Sequence, residues 1–311
     1  MLLYKCGVKS KIKEEIMILN VIVITDIIAF YEKWFMNRLN AGFVDVRNPF
    51  NPNLVSRINF SDVDLILFCT KNPIPILNDL DKIKIPFIFH VTITPYKNDI
   101  EPNVILKTEI INAVKKISTI IGKDNIYIRY DPIFLSDKYN IVYHIKAFNK
   151  LCTLLKGYVN TIIVSFLDEY KNVLKNKNIL KYRQFTENEY KLIGENFSNI
   201  ARTNNMVVQT CFEDRNLTEY GFKKGECLSH ELAYKLTGKT YKSWKARKER
   251  KCECVEMVDV GCYNSCKHFC KYCYANYDEK MVNENFKNHD VNSSLLCGNL
   301  KKDDIIKVRN K

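Results

Sequence analysis

Residues 86–93 read PFIFHVTI, a run of strand length made almost entirely of apolar, aromatic and β-branched residues. Such a run, without the polar alternation of a half-exposed strand, is typical of a strand buried on both faces of a sheet. Similar runs recur through the first two-thirds of the chain, at 18–24, 43–46, 64–69, 125–130, 160–166 and 206–211. The sequence therefore predicts seven strands of one buried sheet.

Helical periodicity fills most of the gaps between these runs. The segment 26–41 begins at the capping pair Thr25-Asp26 and ends at Gly42. Three further helical patterns lie at 104–121, 140–156 and 187–203. Because strands alternate with helices and the sequence has no glycine-rich phosphate loop, we expect an α/β fold: a full or partial (β/α) TIM-like barrel with a C-terminal cysteine-rich extension.

The distribution of cysteines divides the chain further. We predict an N-terminal extension, a barrel, a cysteine-rich cluster-binding region and a C-terminal tail, at 1–15, 16–211, 212–276 and 277–311. The segment 254–261 alternates enough to be one more strand, and it leads directly into a group of cysteines. The polar tail ends in a short strand-like segment, DIIKV, and we expect the tail to pack over the cysteines or to fray.

Composition and cysteine usage indicate a cytoplasmic protein. Of the 311 residues, 46% are hydrophobic, which is enough for a core and excludes intrinsic disorder. The N-terminus carries charges where a secretory signal would be apolar, and the longest apolar runs are too short to span a membrane. In a reducing compartment, clustered cysteines bind metal more often than they form disulfides, and we expect no membrane partner.

The net charge of +13 leaves two interpretations open. It would suit a protein that binds nucleic acid or an anionic substrate, but it also fits a lysine- and asparagine-rich composition. The densest basic run, KTYKSWKARKERK at 239–251, includes Tyr241 and Trp244 and is the best candidate for nucleic-acid binding. It could equally be a solvated linker.

Polar residues follow several of the predicted strands. Because chemistry in barrel folds gathers at the carboxyl ends of the strands, these residues are candidates for the site. The catalytic candidates are Arg129, Asp131 and Asp168. The cofactor-binding candidates are Lys71, Asn72, Thr92, Thr94, Ser165 and Gln209. Each alone would also fit turn chemistry, and Arg129 with Asp131 would fit a structural ion pair. We interpret His90 as a core histidine with satisfied hydrogen bonds.

A cysteine motif lies at 259–276, which read DVGCYNSCKHFCKYCYAN. Its core is Cys266-x3-Cys270-x2-Cys273, and thiolates at such spacing let one loop surround a soft metal. A zinc site would usually show two Cys-x2-Cys pairs, whereas this loop has one. Three ligands would leave one iron of a 4Fe–4S cluster open.

The motif, with Tyr272 before its last cysteine, resembles the cluster motif of radical S-adenosylmethionine enzymes. The resemblance implies a barrel fold and a 4Fe–4S cluster whose open iron binds S-adenosylmethionine, cleaved reductively to a 5′-deoxyadenosyl radical. It also implies an electron donor such as flavodoxin or ferredoxin. More of the chain, including FCTKNP, RYDPIFLSDKY and VSFLDEYKN, resembles the bacterial family called domain of unknown function 1848, itself radical-SAM-like.

The chain departs from these patterns in three respects. The motif follows the last strand instead of the first, which would place strand 254–260 beside strand one. No Gly-Gly-Glu-like stretch is present. Val23-Ile24 and Ile28 stand where the family carries an Arg-Arg pair and a proline. A catalytically lapsed family member is therefore one alternative.

Four more cysteines form a possible second metal site, Cys211, Cys227, Cys252 and Cys254. They would hold an auxiliary iron–sulfur cluster or a structural zinc, or else be inert core thiols. We interpret His268, inside the motif, as a surface residue. The leading hypothesis is a radical-SAM-type enzyme acting on an unknown substrate. The other alternative is a zinc- or cluster-stabilised nucleic-acid-binding protein.

Overall fold

The computed structural model describes residues 17–21, 24–211, 213, 215–244 and 253–309. Within them the strands are β1 (Met17–Val21), β2 (Phe43–Arg47), β3 (Leu54–Asn59), β4 (Val63–Thr70), β5 (Phe87–Thr92), β6 (Ile126–Ile133), β7 (Thr161–Phe166), β8 (Val207–Cys211), β9 (Lys223–Gly225), β10 (Val258–Asp259) and β11 (Ile305–Val308). The α-helices are α1 (Ile27–Phe30), α2 (Glu32–Ala41), α3 (Lys107–Ile121), α4 (Ile141–Leu155), α5 (Lys171–Lys175), α6 (Lys177–Leu180), α7 (Glu187–Thr203), α8 (His230–Thr237) and α9 (Glu279–Lys287).

Eight strands form one parallel sheet in the order β10-β1-β4-β5-β6-β7-β8-β9. The predicted α/β architecture with a buried parallel sheet is confirmed, and six of the seven predicted runs lie in this sheet. No β-ladder joins the edge strands β9 and β10 within the part of the chain that is described. Closure into a barrel stays a prediction.

The strand that precedes the cysteine motif lies beside the first strand. Leu19 of β1 pairs with Val258 of β10, and Asn20 pairs with Asp259. The predicted position of this segment is confirmed. Because parallel strands end at the same edge of a sheet, the chain enters the cysteine motif where β1 also ends.

The run at 43–46 belongs to a different sheet from the one predicted. β2 pairs antiparallel with β3, and β3 pairs parallel with β11 of the tail, in a separate three-stranded sheet. Parallel neighbours need a crossover of about a dozen residues or more, and the short link from β2 to β3 allows only a hairpin-like return. β2 also carries the buried Asp45, whose Oδ2 lies 2.8 Å from Nη2 of Arg57. A charged residue of this kind is unusual in a strand that is buried on both faces.

The predicted helices are confirmed with one interruption. Asp26 caps α1 by accepting from Ala29 N (3.1 Å), Tyr31 separates α1 from α2, and Gly42 ends α2 at a φ of 82°. Left-handed backbone of this kind favours glycine. The other three predicted helices are α3, α4 and α7, whereas α9 in the tail had no predicted counterpart.

Both faces of the parallel sheet are covered. On one face the helices pack against apolar strand residues, and Phe148 of α4 stacks on Phe197 of α7 with ring centroids 3.8 Å apart. On the other face, Leu65 and Ile88 pack with Ala233 of α8 and with Met257. The cysteine-rich region thus covers the face opposite the main helices. None of the described helices is long and apolar enough to cross a membrane.

Candidate functional site

Residues 262–277, which we call the cluster loop, carry the motif thiols Cys266, Cys270 and Cys273. The start of the loop is tied to the segment that follows β1. Thr25 Oγ1 accepts from Cys262 N (3.0 Å), and Tyr31 OH donates to Ser265 O (2.7 Å). These bonds place the loop at the carboxyl edge of the sheet.

The rest of the loop is held by segments that follow two other strands. Asn172 and Asn176, after β7, donate to the carbonyls of Tyr274 (2.8 Å) and Lys271 (2.7 Å). The backbone N–H of Lys271 donates to the carbonyl of Ile100, after β5 (2.9 Å). The loop conformation is therefore specified by the edge of the parallel sheet as well as by the loop itself.

Asn264 fixes a sharp bend before the first motif cysteine. It is fully buried with a φ of 53°, a left-handed conformation that Asn tolerates better than most residues. Its Oδ1 accepts from the backbone N–H groups of Tyr277 (2.8 Å) and Asp278 (3.1 Å). Asn285 of α9 donates to its carbonyl (2.9 Å), so the tail packs on the cluster loop, as one of the two expectations had it.

Asp26 is a buried carboxylate that joins the loop to two strand ends. It accepts from Thr70 Oγ1 (2.7 Å) and from Lys71 N (2.8 Å), both at the end of β4, in addition to capping α1. His268 Nε2 donates to Oδ2 (2.8 Å), the oxygen that also accepts from Lys71 N. His268 is only 3% exposed, so its interpretation as a surface residue was wrong. His268 lies inside the fold because it hydrogen-bonds the buried carboxylate of Asp26.

Glu101, in the segment after β5, is the second buried carboxylate. It accepts from Lys71 Nζ (2.8 Å) and Thr94 Oγ1 (2.6 Å), and also from Lys107 Nζ and Tyr272 OH. Burial alone would raise its pKa, but the charges of the two lysines outweigh burial and hold the pKa well below its usual range. An ionised Glu101 thus links the motif tyrosine to two strand ends.

The three motif cysteines are half-buried, and their thiols lie near enough to one another to influence each other's pKa. Burial raises the pKa of each, that of Cys270 to about 12. After burial, Asp26 and the other two thiols raise the pKa of Cys266, whereas Lys71 lowers the pKa of both Cys270 and Cys273. These protonated thiols would release their protons to solvent when a metal cation binds, because metals bind the thiolate.

A second group of thiols, the thiol triad, consists of Cys211, Cys227 and Cys254. Their Sγ atoms all lie within 4.8 Å of one another, and among the described residues no other three cysteine, histidine or acidic side chains do so. Cys211 Sγ is 2.8 Å from Cys227 Sγ, and Cys227 N donates to Cys254 Sγ (3.2 Å). The triad could hold a metal ion. The predicted fourth member, Cys252, lies outside the described residues.

Arg129 of β6 connects the triad to a carboxylate. Its Nη1 donates to Cys227 Sγ (3.3 Å), and its Nε donates to Asp131 Oδ2 (3.0 Å), which also accepts from Ser165 Oγ (3.3 Å). Hydrogen bonds from Cys211 and Cys254 and the charge of Arg129 outweigh burial and hold the pKa of Cys227 well below its usual range. The triad is therefore prepared to carry a thiolate.

The two thiol groups are electrostatically connected through strand-end charges. Burial lowers the pKa of Lys71, but Glu101, Cys270 and, less strongly, Asp131 raise it, and the net pKa is raised. The charge of Asp131 thus raises the pKa of Lys71 at the cluster loop, and the same carboxylate forms an ion pair with Arg129 at the triad. One continuous set of charges runs along this face of the sheet.

The remaining predicted site residues form no common cluster with the motif cysteines or the thiol triad among the contacts of the described residues. Asn72 accepts from the backbone two residues on (3.1 Å), and Gln209 donates to a carbonyl just after β9 (3.2 Å). Thr92 pairs with Arg129 in the β5–β6 register. Asp168 is exposed. Sequence reasoning took Asp26 for a helix cap alone and missed Glu101, although both follow predicted strands.

Part of the basic run at 239–251 packs against the rest of the protein. Lys239 donates to Asp64 (2.8 Å), and Tyr241 is 8% exposed, so this tyrosine is not available to stack on a base. Residues 245–251, which hold most of the basic charge, lie outside the described residues.

Residues 18–275 match the model of the family described as Domain of unknown function (DUF1848), and the chain belongs to that family. No curated protein matches the chain. Among solved structures, the FimX EAL domain of Xanthomonas citri in complex with c-diGMP is 9% identical, with a TM-score of 0.21, covering 61% of this chain and 89% of that one. A likeness at that TM-score carries no argument.

Proposed function

We propose that this chain, a member of the DUF1848 family, is an iron–sulfur enzyme of the radical S-adenosylmethionine type. Cys266, Cys270 and Cys273 would hold a 4Fe–4S cluster, and the reaction would be the reductive cleavage of S-adenosylmethionine to start radical chemistry on a substrate. The observation that carries the proposal is the cluster loop, which holds three half-buried cysteines at the carboxyl edge of a parallel sheet, with their thiols near enough to influence one another's pKa.

The donor set fits such a cluster. Thiolates are the ligands that iron–sulfur clusters take, and three of them leave one iron position for a further ligand. The cluster, when bound, supplies the electron for reductive cleavage. Lys71, whose charge already lowers the pKa of Cys270 and Cys273, would offset the negative charge of the ligated thiolates.

The other strand-end residues would hold the cofactor and the substrate. Thr94 would position Glu101 and Lys71 beside the loop, and Ser165 and Thr92 lie on the strands next to Arg129 and Asp131. We assign S-adenosylmethionine to the region between the loop and these strand ends. Arg129 and Asp131 are then placed to contact a substrate farther along the same face.

A partial barrel would exclude water from this face. Leu228, after β9, accepts from Val255 N, before β10 (3.2 Å), so the segments beside the two edge strands approach each other. Water exclusion would restrict the radical to its intended C–H bond. We further propose a cytoplasmic setting, with flavodoxin or ferredoxin as the electron donor, because the described cysteines form no disulfide, as is usual in a reducing compartment.

The thiol triad would hold a second metal, either zinc or an auxiliary iron–sulfur cluster. Its three sulfur atoms are close enough to share one ion, and the adjacent Arg129 balances part of their charge. The triad would then fix the segments after β8 and β9 to the segment before β10. In this way a metal would stabilise the face on which the chemistry takes place.

The proposal is tested by electron paramagnetic resonance. The protein is purified anaerobically, reconstituted with iron and sulfide, reduced, and recorded with and without S-adenosylmethionine. We expect a cluster signal that changes when the cofactor is added and disappears in Cys270→Ala. The matched control is Cys152→Ala, a buried thiol on α4, which should keep the signal.

Other results would favour the alternative functions. A cluster indifferent to S-adenosylmethionine would indicate a lapsed family member. Zinc bound in place of iron, together with salt-dependent binding of nucleic acid, would indicate a metal-stabilised nucleic-acid-binding protein whose contacts lie in 239–251.

A further inference from the structure

The thiol triad supplies three ligands, and a tetrahedral structural metal site takes four. With metal–sulfur bonds of about 2.3 Å, the corners of such a tetrahedron lie about 3.8 Å apart. The three Sγ atoms all lie within 4.8 Å of one another, with those of Cys211 and Cys227 2.8 Å apart, so they are near enough to share one ion. A four-iron cluster would separate its ligands more widely. The geometry therefore favours a single ion, and the question is which side chain completes the set.

His90 has an imidazole nitrogen that lacks a partner. Its side chain is 1% exposed, and Nε2 makes no hydrogen bond to any described residue. The interpretation of His90 as a satisfied core histidine was therefore wrong. Leaving a buried polar atom unpaired costs about 1–3 kcal/mol, and a bound ion is one of the partners that accounts for such an atom.

His90 lies on the same face of the sheet as the triad. In the ladder it pairs with Tyr127 of β6, and the two rings are 5.2 Å apart. Tyr127 packs in turn against the cluster of Cys211 and Cys254. Two residues beyond Tyr127, Arg129 donates to Cys227. The ring of His90 thus belongs to the lining of the space that the triad occupies.

The protonation state of His90 suits a ligand. Burial, with the nearby charge of Arg129, lowers its pKa to about 3, so the ring is neutral at physiological pH. Neutral imidazole is the form that binds metals. Cys69, the neighbour of His90 on β4, is a weaker candidate, because a thiol is inexpensive to bury without a partner and so gives no sign of a missing one.

We infer that His90 Nε2 is the fourth ligand of a zinc ion held by Cys211, Cys227 and Cys254. This inference rests on the metal binding proposed above for the triad. His90 does not belong to the group of ligand atoms within 4.8 Å of one another, so the inference requires its ring to approach the triad when the ion binds. Three thiolates with one divalent ion carry a single negative charge, which the guanidinium of Arg129 faces.

Cobalt(II) is the probe, because its absorption bands distinguish a three-sulfur, one-nitrogen set from a four-sulfur set. The background is the full chain with Cys266, Cys270 and Cys273 all changed to Ala, which removes the loop ligands. In this background we expect one cobalt per chain with the spectrum of the mixed set. Cys227→Ser should abolish binding.

The His90 variants then test the assignment. We expect His90→Ala to weaken cobalt binding at least about 100-fold, since even loss of a residue behind a ligand costs about 10–100-fold. His90→Cys should bind tightly with a four-sulfur spectrum, which keeps the test decisive if His90→Ala does not fold. The control is His144→Gln, a buried histidine whose ring hydrogen-bonds Tyr130 and the carbonyl of Phe134 (both 3.0 Å).

Three results would overturn the inference. One is unchanged affinity and spectrum in His90→Ala. Another is loss of the site in Cys69→Ala or Cys252→Ser with the His90 variants unaffected. The third is a background protein that binds no cobalt, which would refute metal binding at the triad and leave the assignment of the cluster loop to its own spin-resonance test.

Discussion

The cluster loop takes its three thiols from eight consecutive residues, whereas the thiol triad takes them from segments 16 and 27 residues apart. In each, a basic residue at a strand end faces the sulfur atoms and is itself held by a carboxylate: Lys71 by Glu101, and Arg129 by Asp131. The same pairing of cation and carboxylate thus serves two thiol groups on one sheet face.

The pKa values of the thiols differ between the cluster loop and the thiol triad. In the loop, burial outweighs Lys71 and the thiols keep raised pKa values. In the triad, hydrogen bonds between the thiols add to the charge of Arg129 and hold the pKa of Cys227 low. The comparison teaches that a nearby cation alone does not ionise a buried thiol, because Cys227, which also has hydrogen bonds from two neighbouring thiols, has a lowered pKa, whereas that of Cys211 is raised.

The largest loss of stability is expected on substitution of Glu101, the carboxylate that holds Lys71 beside the cluster loop. Glu101→Gln would leave Lys71 and Lys107 facing a neutral amide, and losing one partner of a buried ionic group costs about 3–5 kcal/mol. Because the Lys107 side chain is 30% exposed, we expect the low end, about 3 kcal/mol of unfolding free energy. Urea unfolding at pH 7 measures it, with the exposed Glu195→Gln as control.

The acid dependence of that effect has a definite sign. The folded-state pKa of Glu101 lies below its unfolded value, near 4.3, so its contribution is present above that value and is lost as the pH falls toward the folded pKa. The difference between wild type and Glu101→Gln should shrink below about pH 4.3. A difference that stays constant from pH 7 to pH 3 would show that packing, and not charge, is responsible.

A smaller effect is expected at Arg129, on the triad side. Arg129→Gln removes the charge that faces Cys227 and leaves the three sulfur ligands in place. We expect cobalt affinity at the triad to fall about 10–100-fold, as for other residues that support a metal ligand. Arg183→Gln, which breaks an exposed ion pair with Glu189, is the control. An unchanged affinity would mean that the charge of Arg129 does not support metal binding at the triad.

The sequence predicted the loop better than the charges around it, for a physical reason. Three cysteines within eight residues are visible in any window, and the alternation of strands and helices located the sheet edge that receives them. The contact of His268 with Asp26 joins residues 242 apart, and that of Tyr272 with Glu101 joins residues 171 apart. Such contacts depend on which strand ends meet, and local pattern does not encode that.

The same limit applies to the triad and to β2. Cys211, Cys227 and Cys254 were grouped by sequence, but their approach depends on β10 lying beside β1 and on the turn after β9. The run at 43–46 was placed in the wrong sheet because its strand pattern is local, whereas its partner β11 comes from the end of the chain. Periodicity identifies elements, and tertiary pairing decides their neighbours.

The smallest effect is expected at Asn264, where the loop backbone rather than its charge is tested. Asn264→Gly keeps the left-handed conformation but leaves the buried N–H groups of Tyr277 and Asp278 without their acceptor, which should cost about 2 kcal/mol of unfolding free energy. Asn264→Asp keeps an acceptor and should cost under about 1 kcal/mol, because aspartate also tolerates this conformation. Urea unfolding with iron content after reconstitution measures both. If Asn264→Gly lowers the iron content while cobalt binding at the triad is unchanged, the loop and the triad are independent centres. If both fall together, the shared sheet face couples them, and the two thiol groups must be treated as one site.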